Sequence, residues 1–463
     1  MIGRKRELAE LERLYAERRF QLFILYGRRR VGKTTLLQEF CAGKEAIFFS
    51  AELSTEKLNL DKVSEQIYRH DGASDRPAFT AWRQVFHYLA ERYREKRLVF
   101  VIDEFPYLAE GHTALLSELQ HAIDHELQHT QLFLILCGSY VGFMEKEVLG
   151  SKSPLFGRRT AQLQLKPFDY RESLLFLDGF TPEEQLELYG ALGGTAMYLR
   201  YVRPEKSVQE NLCDLFLRPA SYLYEEPIFL LKEEVRQPSM YNAVIEAIAG
   251  GASRASEIAT KTGEAQPKCL KYIQTLIHLG ILYKEVPFGE KETSRRTLYG
   301  ISDFLFRFWY RYVVTNRMLI ESGAQEILWK RRIAPDYPRY MGAVFERVCQ
   351  QFLLRENAVG RLPLLMTAIG RWWGTDPATH QQEEIDLVAS DDQKYLFGEC
   401  KWRNEPTDLD TLRRLEYRAN LFRKQRDASY YALFSKSGFT DRVRAEAAQR
   451  DDLLLYDLPA IIS

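Results

Sequence analysis

The amino-acid sequence predicts an α/β protein. A parallel sheet with helices on both faces comes first, then a helical middle, then a small second α/β domain. Three observations carry this. Over residues 1 to about 200, four short runs that are apolar throughout alternate with amphipathic helical stretches: FQLFILYG, EAIFFSAEL, LVFVIDEF and LFLILCGS. That is the pattern of strands buried on both faces and joined by crossover helices. A helical stretch from about Phe168 to Lys232 follows, and Met240 to Ser302 reads helix, helix, helix and hairpin. The block from about Tyr337 to Ser463 again mixes helices and strands. The aromatic segment DFLFRFWYRYV leads into it, and Phe304 to Tyr312 reads as a packing helix in preference to a platform for stacked bases.

Composition narrows the function classes. With 46% hydrophobic and 28% charged residues over 463 positions, cores can form and wholesale disorder is excluded. The 64 Lys plus Arg balance 64 Asp plus Glu, which excludes a globally polybasic nucleic-acid coat while leaving local basic patches open. Cys41, Cys137, Cys213, Cys269, Cys349 and Cys400 form no Cys-x-x-Cys pair, which fits a reducing cytoplasm better than a disulfide framework or a cysteine zinc site. The opening MIGRKRELAE is charged where a signal peptide would be apolar, and no apolar run approaches the ~18 residues of a membrane span. The expectation is a soluble cytoplasmic protein with no membrane association.

Gly27, Arg28, Arg29, Arg30, Val31, Gly32, Lys33 and Thr34, followed by Thr35, read GRRRVGKT-T, a phosphate-binding loop between strand and helix. The glycines let backbone N–H groups turn inward around the phosphates. Lys33 supplies a point charge to the β and γ phosphates, the Thr34 hydroxyl ligates Mg²⁺, and the helix TTLLQEF points its positive end at the same place. A second strand, LVFVI, runs into Asp103 and Glu104. Such a pair at a neighbouring strand end supplies a carboxylate to the Mg²⁺ shell and a base for the attacking water.

A competing string, HELQH at His125 to His129, formally matches the H-E-x-x-H zinc motif. It is expected on an amphipathic helix between two strands, with His121 extending the same face, and it has no third ligand; it reads as a solvated polar face.

The last block contains EEIDLVAS, then DDQ, then KYLFGECKW, two strands around an acidic turn with its midpoint near Asp392. This sets Asp386 about opposite Glu399. Glu399 and Lys401, two apart, project from one face, and Ile385, Leu387 and Cys400 are expected on the other. Two carboxylates in that position hold Mg²⁺, and the lysine steadies the attacking water or the phosphate. The helix RYMGAVFERVCQQFLL and the strand IGRWWG precede the hairpin, and the basic helix TLRRLEYRANLFRK and the strand SYYALFS follow it, an αβββαβ order.

These residues resemble the prokaryotic archaeal ATPase family, a P-loop group allied to the AAA+ and STAND ATPases that often carries a C-terminal restriction-endonuclease-like domain. IGRKRELAELERL is similar to the family's opening, which contacts adenine near the first Gly-Arg, and VIDEF resembles its second nucleotide motif. LILCGSYVGFM resembles the sensor strand with Ser139 at the polar position, although Tyr140 stands where the family usually has a second serine. SPLFGRRTAQLQLKPF resembles the arginine segment, which implies that Arg158, or Arg159 after it, reaches the γ-phosphate. GGTAMYL keeps Gly193 and Gly194 of a family turn but has Ala196 in place of proline.

The resemblance extends to a winged helix, with Ala255 to Thr260 as second helix, Pro267 to Leu279 as third, and a wing from LYKEVP and RRTLYGI. Lys268, Lys271 and Tyr272 are expected on the exposed face of the third helix, with Arg295 and Arg296 near the wing tip. Asp386, Glu399 and Lys401 resemble the D…E-x-K centre of PD-(D/E)XK nucleases, where Glu346 adds a carboxylate.

The resemblance implies 1–165 as P-loop ATPase domain, 166–235 as helical lid, 236–312 as winged helix, 313–336 as linker and 337–463 as nuclease-like domain. It implies ATP and Mg²⁺ as cofactors, double-stranded DNA as a partner, and allows a homo-oligomer. The function implied is ATP hydrolysis coupled to action on DNA. The alternative is a STAND-type nucleotide switch whose last domain binds nucleic acid without cutting.

Overall fold

The unbroken apolar runs become the central strands of the first unit, because a strand covered on both faces has no solvent side on which to alternate. The computed structural model describes residues 2–73, 76–391, 393–422 and 428–463, so the hairpin midpoint at Asp392 lies outside the described residues. The chain divides into Met1–Phe168 with Thr195–Met197, and Asp169–Gly194 with Tyr198–Ser463.

In the first unit, helix α1 is Lys5–Ala16, β1 is Gln21–Tyr26, α2 is Lys33–Cys41, β2 is Ala46–Ser50 and β3 is Val99–Asp103. Helix α3 is Leu115–His125, β4 is Phe133–Gly138 and β5 is Ala161–Gln164. The strand order is β2-β3-β4-β1-β5, and every pair is parallel. Every residue of β1, β3 and β4 is buried. Leu11 and Leu14 of α1 and Leu36, Leu37 and Phe40 of α2 pack with Phe23, Val101 and Ile135 into one core. At ~1.5–3 kcal/mol for each such side chain buried, this packing fixes where α2 begins. β5 is an addition to the sequence reading: AQLQ is too short and too polar to signal a strand, and its edge place leaves it only half-buried.

The HELQH string departs from expectation. Helix α3 stops at His125, where Glu126 turns to φ −130°, and a 3-10 turn carries Leu127–His129. His125 and His129 therefore do not share one helical face. The His121 and His125 rings lie 4.3 Å apart, and Glu126 meets the His87 ring nitrogen at 2.6 Å.

The second unit starts with short helices, among them α4, Pro182–Leu192, whose Thr181 and Glu184 form a reciprocal cap. Helices α5, Pro238–Ala249, α6, Ala255–Thr262, and α7, Gln266–His278, are followed by the antiparallel hairpin of β6, Leu282–Glu285, and β7, Leu298–Ile301. This is a winged-helix arrangement. Lys268 and Lys271 are exposed as expected, the former paired with Glu264 at 2.9 Å. Tyr272 is not. It is buried against Tyr241, and its hydroxyl donates to Gln237 Oε1 at 3.1 Å, since position 272 falls on the packing side of α7 with Cys269 and Leu276. Phe304, Phe306, Phe308, Trp309, Tyr310 and Tyr312 are all buried, consistent with packing.

Helix α8, Ala334–Ala358, then leads to β8, Ala368–Thr375, β9, Gln382–Ser390, and β10, Lys394–Lys401. Helix α9, Leu409–Leu421, β11, Ala428–Ser435, and β12, Leu453–Asp457, complete a mixed sheet of order β12-β11-β10-β9-β8. The chain continues past the expected αβββαβ order with helix Asp441–Ala447, β12 and helix Leu458–Ile462. No helix among the described residues is long and apolar enough to cross a membrane.

Glu187 on α4 links this packing to pH. Burial first, then the charges of Glu183 and Glu184, push its carboxyl from 4.5 up to about 7, and Lys436 opposes them. The folded value lies above the unfolded one, so this group's contribution is full below about pH 4.5 and is lost as pH rises through 7. Glu187→Gln should match wild type in thermal melting at pH 4 and melt higher at pH 8; equal melting at both pH values would refute a neutral buried Glu187.

Candidate nucleotide site and carboxylate centre

The phosphate loop is shaped by one close approach. Gly27 has φ 153°, and a Cβ there would lie 2.3 Å from the Leu165 carbonyl oxygen, so glycine is required where the loop passes the end of β5. Lys33, 6% exposed, donates from Nζ to the carbonyls of Gly27 at 2.8 Å and Arg28 at 3.0 Å, curling across the loop mouth. Thr34 Oγ1 donates to Asp103 Oδ2 at 2.8 Å. A hydroxyl and a carboxylate side by side are hard oxygen donors suited to Mg²⁺. Thr35 lies beside them on the exposed side of α2.

Glu104 follows β3 with φ 52°, a left-handed conformation rare outside glycine, which turns its side chain toward the end of β4. Its Oε2 accepts from the Ser139 hydroxyl at 2.6 Å and the Ser139 N–H at 3.3 Å, while its own N–H donates to Asp103 Oδ1 at 3.0 Å. β3 and β4 are parallel neighbours, so Asp103, Glu104 and Ser139 meet at adjacent carboxyl ends, where open α/β sheets bind ligands. The arrangement can hold a carboxylate in hydrogen-bond register for a proton from water.

Two arginines are engaged elsewhere in this unit. Arg4 Nη2 donates to Val31 O at 3.0 Å and Lys166 O at 2.7 Å, with the guanidinium 3.9 Å above the Phe168 ring. It tethers the phosphate loop to the segment after β5, a role the sequence reading missed; its left-handed φ of 61° has no sequence signal. Arg158 makes a two-pronged pair with Asp124 of α3, Nε to Oδ1 and Nη2 to Oδ2, each 2.7 Å. Arg28 is buried at the loop, Arg29 bonds the Tyr107 hydroxyl, and Arg30 adopts φ 70°.

The second centre lies where β9 and β10 part. Their ladder stops at Leu387 opposite Gly398. Asp386, one step further, is opposite Glu399 as expected, and its Oδ2 accepts the Cys400 N–H at 2.8 Å. The β8–β9 register shifts between Gly370 and Trp372, paired with Val388 and Ile385, so Asp386 and Leu387 together oppose Arg371. This β-bulge breaks the strict alternation expected of β9. Ile385, expected opposite Glu399's face, packs instead with Tyr395 and Phe397, which alternate with Glu399 on the α9 side. Glu346 of α8 and Asp386 line one cavity, whereas Glu399 turns to Arg418 of α9, so Asp386 and Glu399 do not share the single face expected of them. Burial and then the neighbouring charges of Glu399 and Glu346 hold the Asp386 carboxyl well above the usual range; burial also raises Glu346.

Glu399 is more fully engaged than the spacing suggested. Lys401 Nζ donates to its Oε1 at 2.5 Å, and Arg418 Nη1 donates to both oxygens at 3.1 Å. Arg418 Nε also reaches Glu383 at 2.7 Å. The i, i+4 arginines 414 and 418 on a helix facing an acidic strand were the available signal; Arg414 lies 3.5 Å from the same Glu383. Among the described residues no three His, Cys, Asp or Glu side chains group closely enough to hold a metal by themselves.

The geometry yields a clean test of the nucleotide site. Glu104→Gln should bind ATP normally and lose hydrolysis by about a hundredfold or more, because an amide cannot accept the water's proton. Ser139→Ala should cost less, about tenfold, by freeing a carboxylate that stays basic. Steady-state ATPase rates with nucleotide binding measured in parallel decide it; unchanged turnover in Glu104→Gln would remove it as the base.

Comparison with known proteins agrees with the loop geometry. A family described as an ATPase domain predominantly from Archaea matches residues 1–202, and a family of archaeal and bacterial proteins of unknown function matches 309–415. An uncharacterised protein of Methanocaldococcus jannaschii is 32% identical over 461 residues, covering 99% of both chains. An uncharacterised ATP-binding protein of the same organism is 52% identical over 44 residues, 10% of this chain and 75% of that one. The Walker-type ATPase structure from Pyrococcus abyssi shares the fold with a TM-score of 0.51 and 22% identity, over 67% of this chain and 96% of that one. With the loop, the strand-end carboxylates and a full-length relative in agreement, the chain belongs to the archaeal ATPase family of P-loop ATPases.

Proposed function

We propose that this ATPase acts on DNA, with nucleotide turnover in the first unit controlling a Mg²⁺-dependent, PD-(D/E)XK-type nuclease centre in the last domain. The observation that carries the reading is that Asp386 and Glu346 line one cavity at the fork of β9 and β10, with the charges of Glu399 and Lys401 near enough to act on Asp386. Mg²⁺ usually takes one or two protein carboxylates and completes its shell with water and substrate phosphate, which suits Asp386 and Glu399. Burial and then the charges of Glu399 and Glu346 raise Asp386, and a bound cation would relieve that repulsion. When bound, the cation would polarise the phosphate and lower the pKa of a water. Lys401 then serves the attacking water or the phosphate.

In the first unit Lys33 meets the β and γ phosphates, Thr34 and Asp103 hold Mg²⁺, Glu104 takes the water's proton, and Ser139 keeps Glu104 aimed. Arg158 would leave Asp124 to act as the γ-phosphate arginine. The exposed Lys268, Lys271 and Arg295 are the DNA-facing charges of the winged helix. Assembly into a homo-oligomer is compatible with an arginine acting between subunits.

One observation favours a second reading. Glu399 already accepts from both Arg418 and Lys401, so its oxygens are neutralised by cations of the chain itself. A domain in that state suits a STAND-type switch that binds nucleic acid without cutting it.

Nicking of supercoiled plasmid separates the two. With Mg²⁺ or Mn²⁺ and ATP, wild type should nick, and Asp386→Asn and Lys401→Ala should each fall by about a hundredfold, at or beyond the usual cost of losing a metal's supporting groups. DNA retention without nicking at any nucleotide state would favour the switch, and equal nicking by all three proteins would move the centre away from this fork.

A further inference from the structure

The wing of the winged helix is fastened to the last domain. Phe288, just past β6, donates its N–H to Arg371 O at 2.8 Å, and its ring packs against Tyr395 and Phe422. Arg296, expected to meet phosphate from the wing tip, instead pairs with Glu290 at 2.6 Å and donates to the Trp373 carbonyl. Tyr283 of β6 lies across Gly300, where a Cβ would come within 2.5 Å of the phenol, and the Arg347 guanidinium sits 4.1 Å above the Tyr283 ring. These interactions make the wing the fixed wall of a cavity of about 190 Å³ whose other walls are α8, β8 and β9.

Three arginines from three separate elements enter that cavity: Arg307 from the aromatic segment, Arg347 from α8 and Arg371 from β8. Arg371 is held at Nη2 by Glu384, which leaves its Nε buried with no hydrogen-bond partner among the described residues. An unmet buried guanidinium N–H is costly, and a bound oxyanion would satisfy it. Arg347 is steadied by Gln350 at 3.0 Å and by Tyr283, and Arg307 rests 5.6 Å from the Tyr340 ring. The bulge sets Asp386 against Arg371, so the arginines and the carboxylates Glu346 and Asp386 share one space, with Glu285 as the acidic group from the wing.

Charge selects the ligand, and size bounds it. At ~30 Å³ for each water the cavity has room for about six, and it falls below the ~300 Å³ of pockets that enclose drug-sized molecules. A phosphate group fits. Planar guanidinium forks recognise phosphate oxygens in pairs. We infer that this cleft between wing and sheet is a phosphate-binding subsite in which Arg307, Arg347 and Arg371 hold one phosphate group beside Asp386. The inference rests on the nucleic-acid reading above only for the phosphate's source, a phosphodiester of a strand whose bases lie outside.

The test uses the full chain saturated with ADP and Mg²⁺, so that the phosphate loop is filled. Inorganic phosphate is titrated by calorimetry into wild type, Arg347→Gln, and the double variant Arg307→Gln/Arg347→Gln. Wild type should bind, and each substitution should weaken binding by about tenfold, the usual loss for a charged hydrogen bond. Arg347→Lys, which keeps the charge, should recover part of it. ATPase rates and melting temperature should stay at wild-type values, and unchanged phosphate affinity in natively melting variants overturns the subsite.

The second arm measures binding of a labelled single-stranded oligonucleotide against salt. If a strand supplies the phosphate, the double variant lowers the log–log slope by up to about 0.7, the contribution of the one phosphate charge those arginines hold. Weakened phosphate binding with an unchanged slope supports the subsite, assigns it to a free anion and counts against the nucleic-acid reading. Absence of phosphate binding to wild type overturns the subsite and leaves that reading to the nicking assay.

Discussion

A buried strand must hand over its backbone amides where its ladder ends, and both centres of this chain are built on that constraint. An unpaired N–H inside a protein is costly, so something at each strand terminus has to accept it. At the end of β3 and β4 the acceptors are carboxylates: Asp103 takes the Glu104 N–H and Glu104 takes the Ser139 N–H. At the fork of β9 and β10 the acceptor is Asp386, which takes the Cys400 N–H. The same carboxylates that satisfy the backbone are the groups with chemistry to offer. Their positions are fixed by sheet register, which packing on both faces enforces, and removing any of them costs structure as well as reactivity.

The phosphate loop obeys the constraint in reverse. Where β1 ends, Gly27 passes so close to Leu165 O that no side chain fits, and the Lys33 ammonium takes the loop's own carbonyls. Arg4 completes the tie from the segment before α1, binding one carbonyl on the loop and one beyond β5. A phosphate arriving there meets a cation and amides already arranged, so little ordering remains to be done on binding.

How much could be read in advance depended on whether the signal was local. GRRRVGKT, the apolar runs and the Asp103–Glu104 pair declare themselves, since each needs only its own neighbours and a period. The register that sets Asp386 opposite Glu399 followed from counting around the turn. What escaped needed a tertiary fact. The bulge depends on β8, with two residues of β9 opposing Arg371, so counting within the hairpin sent Ile385 to the wrong face. Tyr272 looked exposed because tyrosine and its lysine neighbours read as polar, but its ring covers Tyr241. β5 escaped because an edge strand of four residues carries almost no period. The wing looked free because Phe288, which anchors it, meets a core formed more than a hundred residues later, with Tyr395 and Phe422.

Arg418 bridges the fork. It reaches Glu383 on β9 and Glu399 on β10, on the far side of the point where those strands stop pairing. Side chains of Arg418, Glu383 and Glu399 are 9%, 12% and 6% exposed, so this is a buried triad of charges. Such triads gain little net stability over apolar packing, yet removing one member costs about 3–5 kcal/mol because the remaining charges are stranded. Stability alone therefore gives a weak reason for placing an arginine here. Its geometric effect is specific: a rigid guanidinium ties Glu383 of β9 to Glu399 of β10 by their side chains, past the point where main-chain pairing ends. There the Cys400 N–H goes to Asp386, which lines the cavity with Arg371, so side chains take over from the ladder on both sides of the fork.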